Sequence, residues 1–177
     1  MIWNWSYPVL CDSRSRLGLL AAREHPERFH IYGRGWPVGI VQGNTRSAPN
    51  FVAKRGKIVR QYAFDFCVEN MGIPNYVSEK FWSTARQGVM PIYWGAPNFT
   101  PPGALNFAAI GYVGMMRATA EIPDWEYRDE VNHLLDWYYA LPRDSAEQSW
   151  RKAAHTLGRK VAEVANRKDD CPSTKRT

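Results

Sequence analysis

YAFDFCVENMGIPNYVSEKFWSTARQGVMPIYWGAPN, residues 62–98, contains two apolar runs separated by a helical pattern. The first run, YAFDFCVEN, alternates as a strand does and places Phe64, Phe66 and Val68 on one face. A helix is predicted over YVSEKFWSTARQG, with Gly88 at its C-cap, and VMPIYWG is predicted as the second strand. A strand, a helix and a strand in this order indicate a βαβ unit with parallel strands.

The sequence on either side continues this alternation. Further strands are predicted at YPVLCD, HIYGRG and FAAIGYVGM. Helices are predicted at SRSRLGLLAAREHPERF, FVAKRGKIVRQ, WEYRDEVNHLLDWYYAL and DSAEQSWRKAAHTLGRKVAEVANRK, and WPVGIVQGNTRSAPN is predicted as a loop because it is rich in Gly, Pro and Asn. This order predicts an α/β fold, a Rossmann-like parallel sheet flanked by helices, with a ligand crevice at the carboxyl ends of the strands.

Length and composition favour a single domain. A chain of 177 residues with 45% hydrophobic residues is long enough for one core and short for two. We therefore predict one nucleotide-sugar-binding domain over residues 1–165, including the C-terminal helices. The mixture of charges, Pro and Ser over residues 166–177 predicts a flexible basic tail.

The charge balance favours an anionic partner. The formal charge of +6 suits a phosphate ester, a nucleic acid or an acidic membrane face. A basic cluster on the last predicted helix, Arg151, Lys152, Arg159 and Lys160, is either a solvated face or a contact with anionic lipid. No signal peptide or membrane span is recognised, and the odd count of 3 cysteines argues against a disulfide framework. We therefore expect a cytoplasmic protein, with peripheral membrane contact as an alternative.

Polar residues follow the first strand of residues 62–98 and begin the helix after it. In a doubly wound domain, Glu69 and Asn70 would meet Tyr76, Glu79 and Lys80 at the crevice. The helix N-terminus and Lys80 suit a diphosphate, and Glu79 suits two ribose hydroxyls, so the pattern predicts a nucleotide-sugar site. The alternative is that Glu79 stabilises the helix dipole and Lys80 is a solvated surface residue.

Two residues at the end of the second strand are further pocket candidates. Trp94 has an aromatic face on which a sugar can stack, although most large aromatic residues belong to the core. Gly95 indicates first a tight turn and second a close approach of the backbone to a ligand.

The combined run YAFDFCVEN, YVSEKFW and GVMPIYWGAPN resembles the signature of the family 10 glycosyltransferases, the α-1,3/α-1,4-fucosyltransferases. The likeness is strongest over residues 62–98, looser over residues 9–35, and absent after about residue 116. Met71, Ala63, Asn75 and Ser78 depart from the family's usual residues. Met71 is the largest of these departures, because it replaces a small hydroxyl residue beside the expected pocket.

The resemblance implies the C-terminal half of a GT-B fold, which in this family holds GDP-fucose. By motif, Glu79 would bind the ribose, Lys80 the diphosphate, and Tyr76 and Asn70 would line the donor pocket. Glu69, Trp94 and Gly95 stay possible pocket residues from their positions alone. Arg16 would match the family's phosphate-binding arginine; a shift of the alignment would put Arg14 there instead.

The implied activity is an inverting, metal-independent transfer of fucose to a glycan acceptor. The donor substrate would be GDP-fucose, with no cofactor, no metal and no nucleic-acid partner. The family's general base lies in its N-terminal domain, so no catalytic residue is assigned in this chain, and a separate acceptor-binding domain or chain is implied. The alternatives are a non-catalytic nucleotide-sugar-binding module and a truncated GT-B fragment.

Overall fold

The computed structural model describes residues 9–33, 36–37, 39–43 and 51–141, with only the backbone over residues 51–54. In chain order the elements are α1 (Cys11–Glu24), β1 (Ile31–Tyr32), β2 (Val41–Gly43), α2 (Phe51–Val59), β3 (Phe64–Val68), α3 (Glu79–Ala85), β4 (Met90–Trp94), β5 (Leu105–Asn106), α4 (Phe107–Glu121) and α5 (Asp124–Ala140).

Parallel pairing organises the strands. β3, β4 and β5 form one sheet in that order, with Phe64 opposite Met90 and Val68 opposite Trp94. β1 and β2 pair with each other, also in parallel. Because β3 and β4 run in the same direction in full register, their carboxyl ends finish at one edge. The predicted α/β fold, with parallel sheets flanked by helices, is confirmed.

Side-chain alternation along β3 and β4 separates two apolar clusters, one on each face of the sheet. The cluster on one face joins the strands to α3 and α5 through Cys67, Phe81, Ala85, Tyr93 and Leu134. The cluster on the other face joins them to α1 and α4 through residues that include Leu17, Phe66, Ile92, Phe107 and Met115. The sheet therefore lies between two layers of helix.

The predicted strand, helix and strand of residues 62–98 are present as β3, α3 and β4. The helices predicted around α1, α2 and α5 and the strand around β1 are also confirmed. The predicted C-cap at Gly88 is wrong, because α3 ends earlier, with Arg86 at its C-cap. Gly88 instead has a φ of +67° and turns the chain between α3 and β4.

The prediction of a strand at FAAIGYVGM is wrong, because residues Phe107–Glu121 form the helix α4. The side chain of Asn106 caps this helix by accepting a hydrogen bond from the N–H of Ala108 (3.0 Å). The helix is interrupted at Gly111, whose φ of 63° and ψ of −170° suit glycine. The glycines and β-branched residues that suggested a strand therefore belong to a kinked helix.

Two further predictions on the N-terminal side are corrected. YPVLCD was predicted as a strand, but Val9 forms only an isolated antiparallel bridge with Met71, and α1 begins at Cys11. The segment predicted as a loop from residue 36 contains β2, since Val41 pairs with Ile31 in β1.

The helix predicted over residues 144–168, its basic cluster and the tail over residues 166–177 lie outside the described residues. The proposed domain limits therefore stay predictions. Among the helices that the structure does describe, none has the length and apolar character to cross a bilayer.

Candidate functional site

The carboxyl ends of β3 and β4 lie beside the start of α1. Glu69 follows β3, and its N–H donates to the carbonyl of Trp94, the last residue of β4 (2.8 Å). Leu10 precedes α1, and its N–H donates to the carbonyl of Asn70 (2.8 Å). We call the residues gathered here the strand-end site: Arg14, Glu69, Asn70, Tyr76, Ser78, Glu79, Lys80, Trp94 and Gly95.

Glu69 is the buried anchor of this site, with no exposed surface. Its Oε1 accepts a hydrogen bond from the N–H of Ser78 (2.7 Å), which ties the strand end to the residue before α3. Its Oε2 accepts no hydrogen bond from the described residues. The nearest cation to Oε2 is the Nζ of Lys80, at 3.5 Å. A buried carboxylate therefore lies directly behind the lysine.

Lys80 is mostly enclosed, with 22% of its side chain exposed. Its Nζ donates to the Oγ of Ser78 (3.0 Å) and lies 3.8 Å from Oε1 of Glu79. Two carboxylates, those of Glu69 and Glu79, therefore lie 3.5 Å and 3.8 Å from the ammonium, and part of the side chain stays exposed.

Arg14, and not Arg16, reaches the strand-end site. The guanidinium of Arg14 donates to the carbonyl of Val68 (3.3 Å) and to Oδ1 of Asn70 (3.1 Å). Arg16 lies elsewhere on α1, where its side chain is 83% exposed and pairs with Asp12 at 3.8 Å. The helix phase explains the difference, since residues two apart on a helix point about 200° apart.

Tyr76 lies on a loop that hydrogen bonds fix in place. Asn75, with a φ of +63°, and Asn98 exchange two hydrogen bonds of 2.8 Å. The hydroxyl of Tyr93 donates to the carbonyl of Tyr76 (3.4 Å) and accepts from the N–H of Ala96 (3.0 Å). The loops that follow β3 and β4 are thus joined into one wall.

Burial, followed by the charge of Glu69, raises the pKa of Tyr76 from its ordinary value of 10.0 to about 12. Burial and the same carboxylate also raise the pKa of Tyr93. Glu79 and Cys11 also raise the pKa of Tyr76, and Arg14 lowers it. Both tyrosines are therefore neutral and able to donate hydrogen bonds near neutral pH.

Trp94 and Gly95 occupy the end of β4. The ring of Trp94 packs against Phe107, with centroids 4.9 Å apart, and is only partly buried. A Cβ placed on Gly95 would lie 2.5 Å from Cγ of Glu69 and 2.7 Å from Cζ of Tyr93. Gly95 is therefore required for the close packing that holds Glu69, a role that neither sequence interpretation included.

The N-terminus of α3 offers less to an anion than the sequence suggested. α3 has only 7 residues, so its dipole is small. The N–H of Ser78 is already bonded to Glu69, and the N–H of Lys80 donates to the Oγ of Ser78 (3.4 Å). Glu79 begins the helix with 59% of its side chain exposed. The cations at this edge are therefore Arg14 and Lys80, and the carboxylates of Glu69 and Glu79 lie against the second of them.

This arrangement can bind an anion and orient a hydroxyl-bearing group. Charge-assisted hydrogen bonds from a guanidinium and an ammonium are the stronger kind, and an exposed carboxylate accepts bonds from hydroxyls. No three His, Cys, Asp or Glu side chains are grouped as metal ligands within the described residues. The predicted site residues Asn70, Tyr76, Glu79 and Lys80 are brought together; their roles stay predictions.

Comparison with known proteins supports one relationship. The chain is 41% identical over 54 residues to GDP-fucose protein O-fucosyltransferase 3 of Homo sapiens, which covers 30% of this chain and 11% of that protein. It is 42% identical over 54 residues to Alpha-(1,3)-fucosyltransferase B of Drosophila melanogaster, covering 30% and 12%. Over this segment the chain is related to fucosyltransferases.

The match spans about a ninth of these relatives, so it covers a small part of each of them. A Danio rerio protein of the same name as the human one is 45% identical over 42 residues, or 24% of this chain and 9% of the relative. No protein-family model matches the chain, and no solved structure matches it. The relationship is therefore shown for a segment and not for a particular family or domain.

Sequence reasoning missed several residues that build the site. Ser78 was treated only as a departure from the family pattern, yet it contacts both Glu69 and Lys80. The Asn75 and Asn98 pair depends on two loops meeting in space, and no local pattern signals it. The buried position of Tyr93 follows from strand alternation, but its hydrogen bonds to the two loops do not.

Proposed function

We propose that the chain is the donor-binding half of a fucosyltransferase, which binds GDP-fucose at the strand-end site for transfer of fucose to a glycan acceptor. The observation that carries the proposal is that Arg14 contacts Val68 and Asn70, and Lys80 lies against Glu69, all at the carboxyl end of β3. Ligands of open parallel α/β sheets bind outside this edge. The related segment of fucosyltransferases supports the choice of donor.

The diphosphate of the donor would lie between Arg14 and Lys80. α1 adds to their charge, because it is a 14-residue helix that begins at this edge, and no described side chain caps its first turn. The positive end of its dipole favours a phosphate, and Asp12 in its first turn offsets part of that charge. Each charge-assisted hydrogen bond to the diphosphate should contribute about 1.5–3 kcal/mol.

The remaining residues would receive the rest of the nucleotide sugar. Glu79, with its exposed carboxylate, would accept hydrogen bonds from the ribose hydroxyls. Tyr76 and Asn70 would line the pocket, and Trp94 would present a partly open ring to the sugar. Glu69 and Gly95 would support this surface from below, because Glu69 is buried and Gly95 packs against it.

The chemical step would be an inverting transfer. The acceptor hydroxyl must lose a proton to a base while the bond between fucose and GDP breaks. Arg14 and Lys80 would stabilise the negative charge that develops on GDP, so we expect the transfer to proceed without a metal ion. The base is proposed to come from a separate acceptor-binding domain or chain.

Calorimetric titration of the chain with GDP-fucose and with GDP tests the proposal. Saturable binding of both, with UDP-sugars and ADP-sugars much weaker, is expected. Absence of binding to either guanine nucleotide at millimolar concentration would contradict it. A transfer assay with glycan and protein acceptors, with and without an acceptor-binding domain, then separates an active enzyme from a donor-binding module.

A further inference from the structure

Glu69 has a property that donor binding alone does not explain. It is completely buried, and its Oε2 accepts no hydrogen bond from the described residues. Buried carboxylates of this kind are costly unless they are paired. The available partner is the Nζ of Lys80 at 3.5 Å.

Glu69 is also held so that its carboxylate cannot turn away from Lys80. Its N–H donates a hydrogen bond to the carbonyl of Trp94, and its Oε1 accepts a hydrogen bond from the N–H of Ser78. Its Cγ packs tightly over Gly95. Lys80, by contrast, has a long side chain with many rotamers, which a fixed anion can restrict.

We propose that Glu69 is a positioning residue that holds the Lys80 ammonium at the mouth of the donor crevice. This inference rests on the proposed function. In this role Glu69 does not contact the donor and acts through Lys80. The Oγ of Ser78 also fixes the ammonium, because it accepts a hydrogen bond from the Nζ of Lys80 (3.0 Å). The Lys80 side chain is thereby ordered before the diphosphate binds. The conformational entropy of this side chain is lost on folding, so its loss does not weaken GDP binding.

Two opposing effects act on GDP binding when the Glu69 charge is removed. Ordering a free lysine side chain on binding reduces affinity by a factor of up to about 10–30. Repulsion between the buried Glu69 carboxylate and a phosphate oxygen about 2.8 Å beyond the ammonium reduces affinity by roughly 10- to 100-fold at an effective dielectric of about 20. Because the two effects are of similar size, positioning is measured by comparing the change in two Lys80 backgrounds, since the repulsion by Glu69 is present in both.

The experiment is a double-mutant cycle with GDP and guanosine as probes. Glu69→Gln keeps the length of the side chain and an oxygen for the Ser78 N–H but removes the charge. In the Lys80→Ala background this substitution removes only the repulsion, so GDP affinity should rise. In the wild-type background the loss of positioning offsets that gain, so the change in GDP affinity should be less favourable by a factor of up to about 10–30. Guanosine binding should be unchanged in both backgrounds. Thermal unfolding of each variant confirms that it is folded.

The outcomes separate this inference from the proposed function. If the wild-type chain does not bind GDP, the proposed function fails. If GDP binds and Lys80→Ala weakens it, equal changes in GDP affinity from Glu69→Gln in both backgrounds, or a loss for guanosine, overturn the positioning role and leave the function intact. A more favourable change in the wild-type background than in the Lys80→Ala background also overturns it.

A second variant covers failure of Glu69→Gln to fold. Lys80→Met leaves the buried carboxylate without its cation and should lower the Tm of the chain by several degrees. An unchanged Tm would show that Lys80 and Glu69 are not coupled and would overturn the proposal.

Discussion

Gly95 offers a direct test of how the strand-end site is packed. In Gly95→Ala, the new methyl group would lie 2.5 Å from Cγ of Glu69 and 2.7 Å from Cζ of Tyr93, well inside contact distance. Glu69 is fully buried and Tyr93 is 3% exposed, so neither has room to move aside. Tyr93 is further fixed by its hydrogen bond from Ala96. Overpacking of this kind typically costs about 1–3 kcal/mol of the free energy of unfolding.

Thermal and urea unfolding measure this cost, which corresponds to a Tm lowered by about 2–12 °C in a chain of this size. Gly18→Ala in α1 is the matched control. Its nearest neighbour, Cη2 of Trp36, would be 3.6 Å away, so the methyl group fits. An alanine inside a helix should raise the free energy of unfolding by about 0.5–1 kcal/mol. A Gly95→Ala protein as stable as the wild type would refute the packing argument.

Three further outcomes are expected. Arg14→Ala should weaken GDP binding at least about tenfold, whereas Arg16→Ala, which removes only an exposed pair with Asp12, should change it little. Titration of both variants with GDP compares them, and equal effects would contradict the choice of Arg14 as the phosphate-binding arginine. Glu79→Gln should weaken binding of GDP more than binding of 2′-deoxy-GDP, and equal losses would remove Glu79 from the ribose site. Because burial and Glu69 raise the pKa of Tyr76 to about 12, folding favours its protonated form. Its contribution to stability should be complete below pH 10 and lost between about pH 10 and 12. Urea unfolding at pH 9 and at pH 11 should show that the free energy of unfolding declines less between these pH values in Tyr76→Phe than in the wild type. An identical decline in the two proteins would contradict the burial of Tyr76.

The sequence predicted the central unit of the fold because local patterns specify it. Strand alternation in β3 and the apolar run of β4 are strong signals, and the helical stretch between them leads to a parallel pair. α4 was mistaken for a strand because Gly111, Gly114 and Val113 are poor helix formers. Capping by Asn106 and packing of Phe107 and Met115 against the sheet outweigh those local preferences.

The candidate site was predicted in outline but not in its supporting contacts. Asn70 lies just beyond β3, Tyr76 lies on the loop before α3, and Glu79 and Lys80 begin α3; sequence position alone can indicate such placements. The choice between Arg14 and Arg16 depends on where α1 begins and which of its faces meets β3. Such a choice is set by tertiary contacts, and a sequence pattern without a fixed register cannot make it.

A crystal structure of the chain with GDP tests the central claim most directly. We predict that the diphosphate lies between the guanidinium of Arg14 and the ammonium of Lys80, at the carboxyl ends of β3 and β4. The ribose hydroxyls should face Glu79, and Glu69 should remain buried behind Lys80. GDP bound at the opposite edge of the sheet, or with its phosphates away from both cations, would contradict the account.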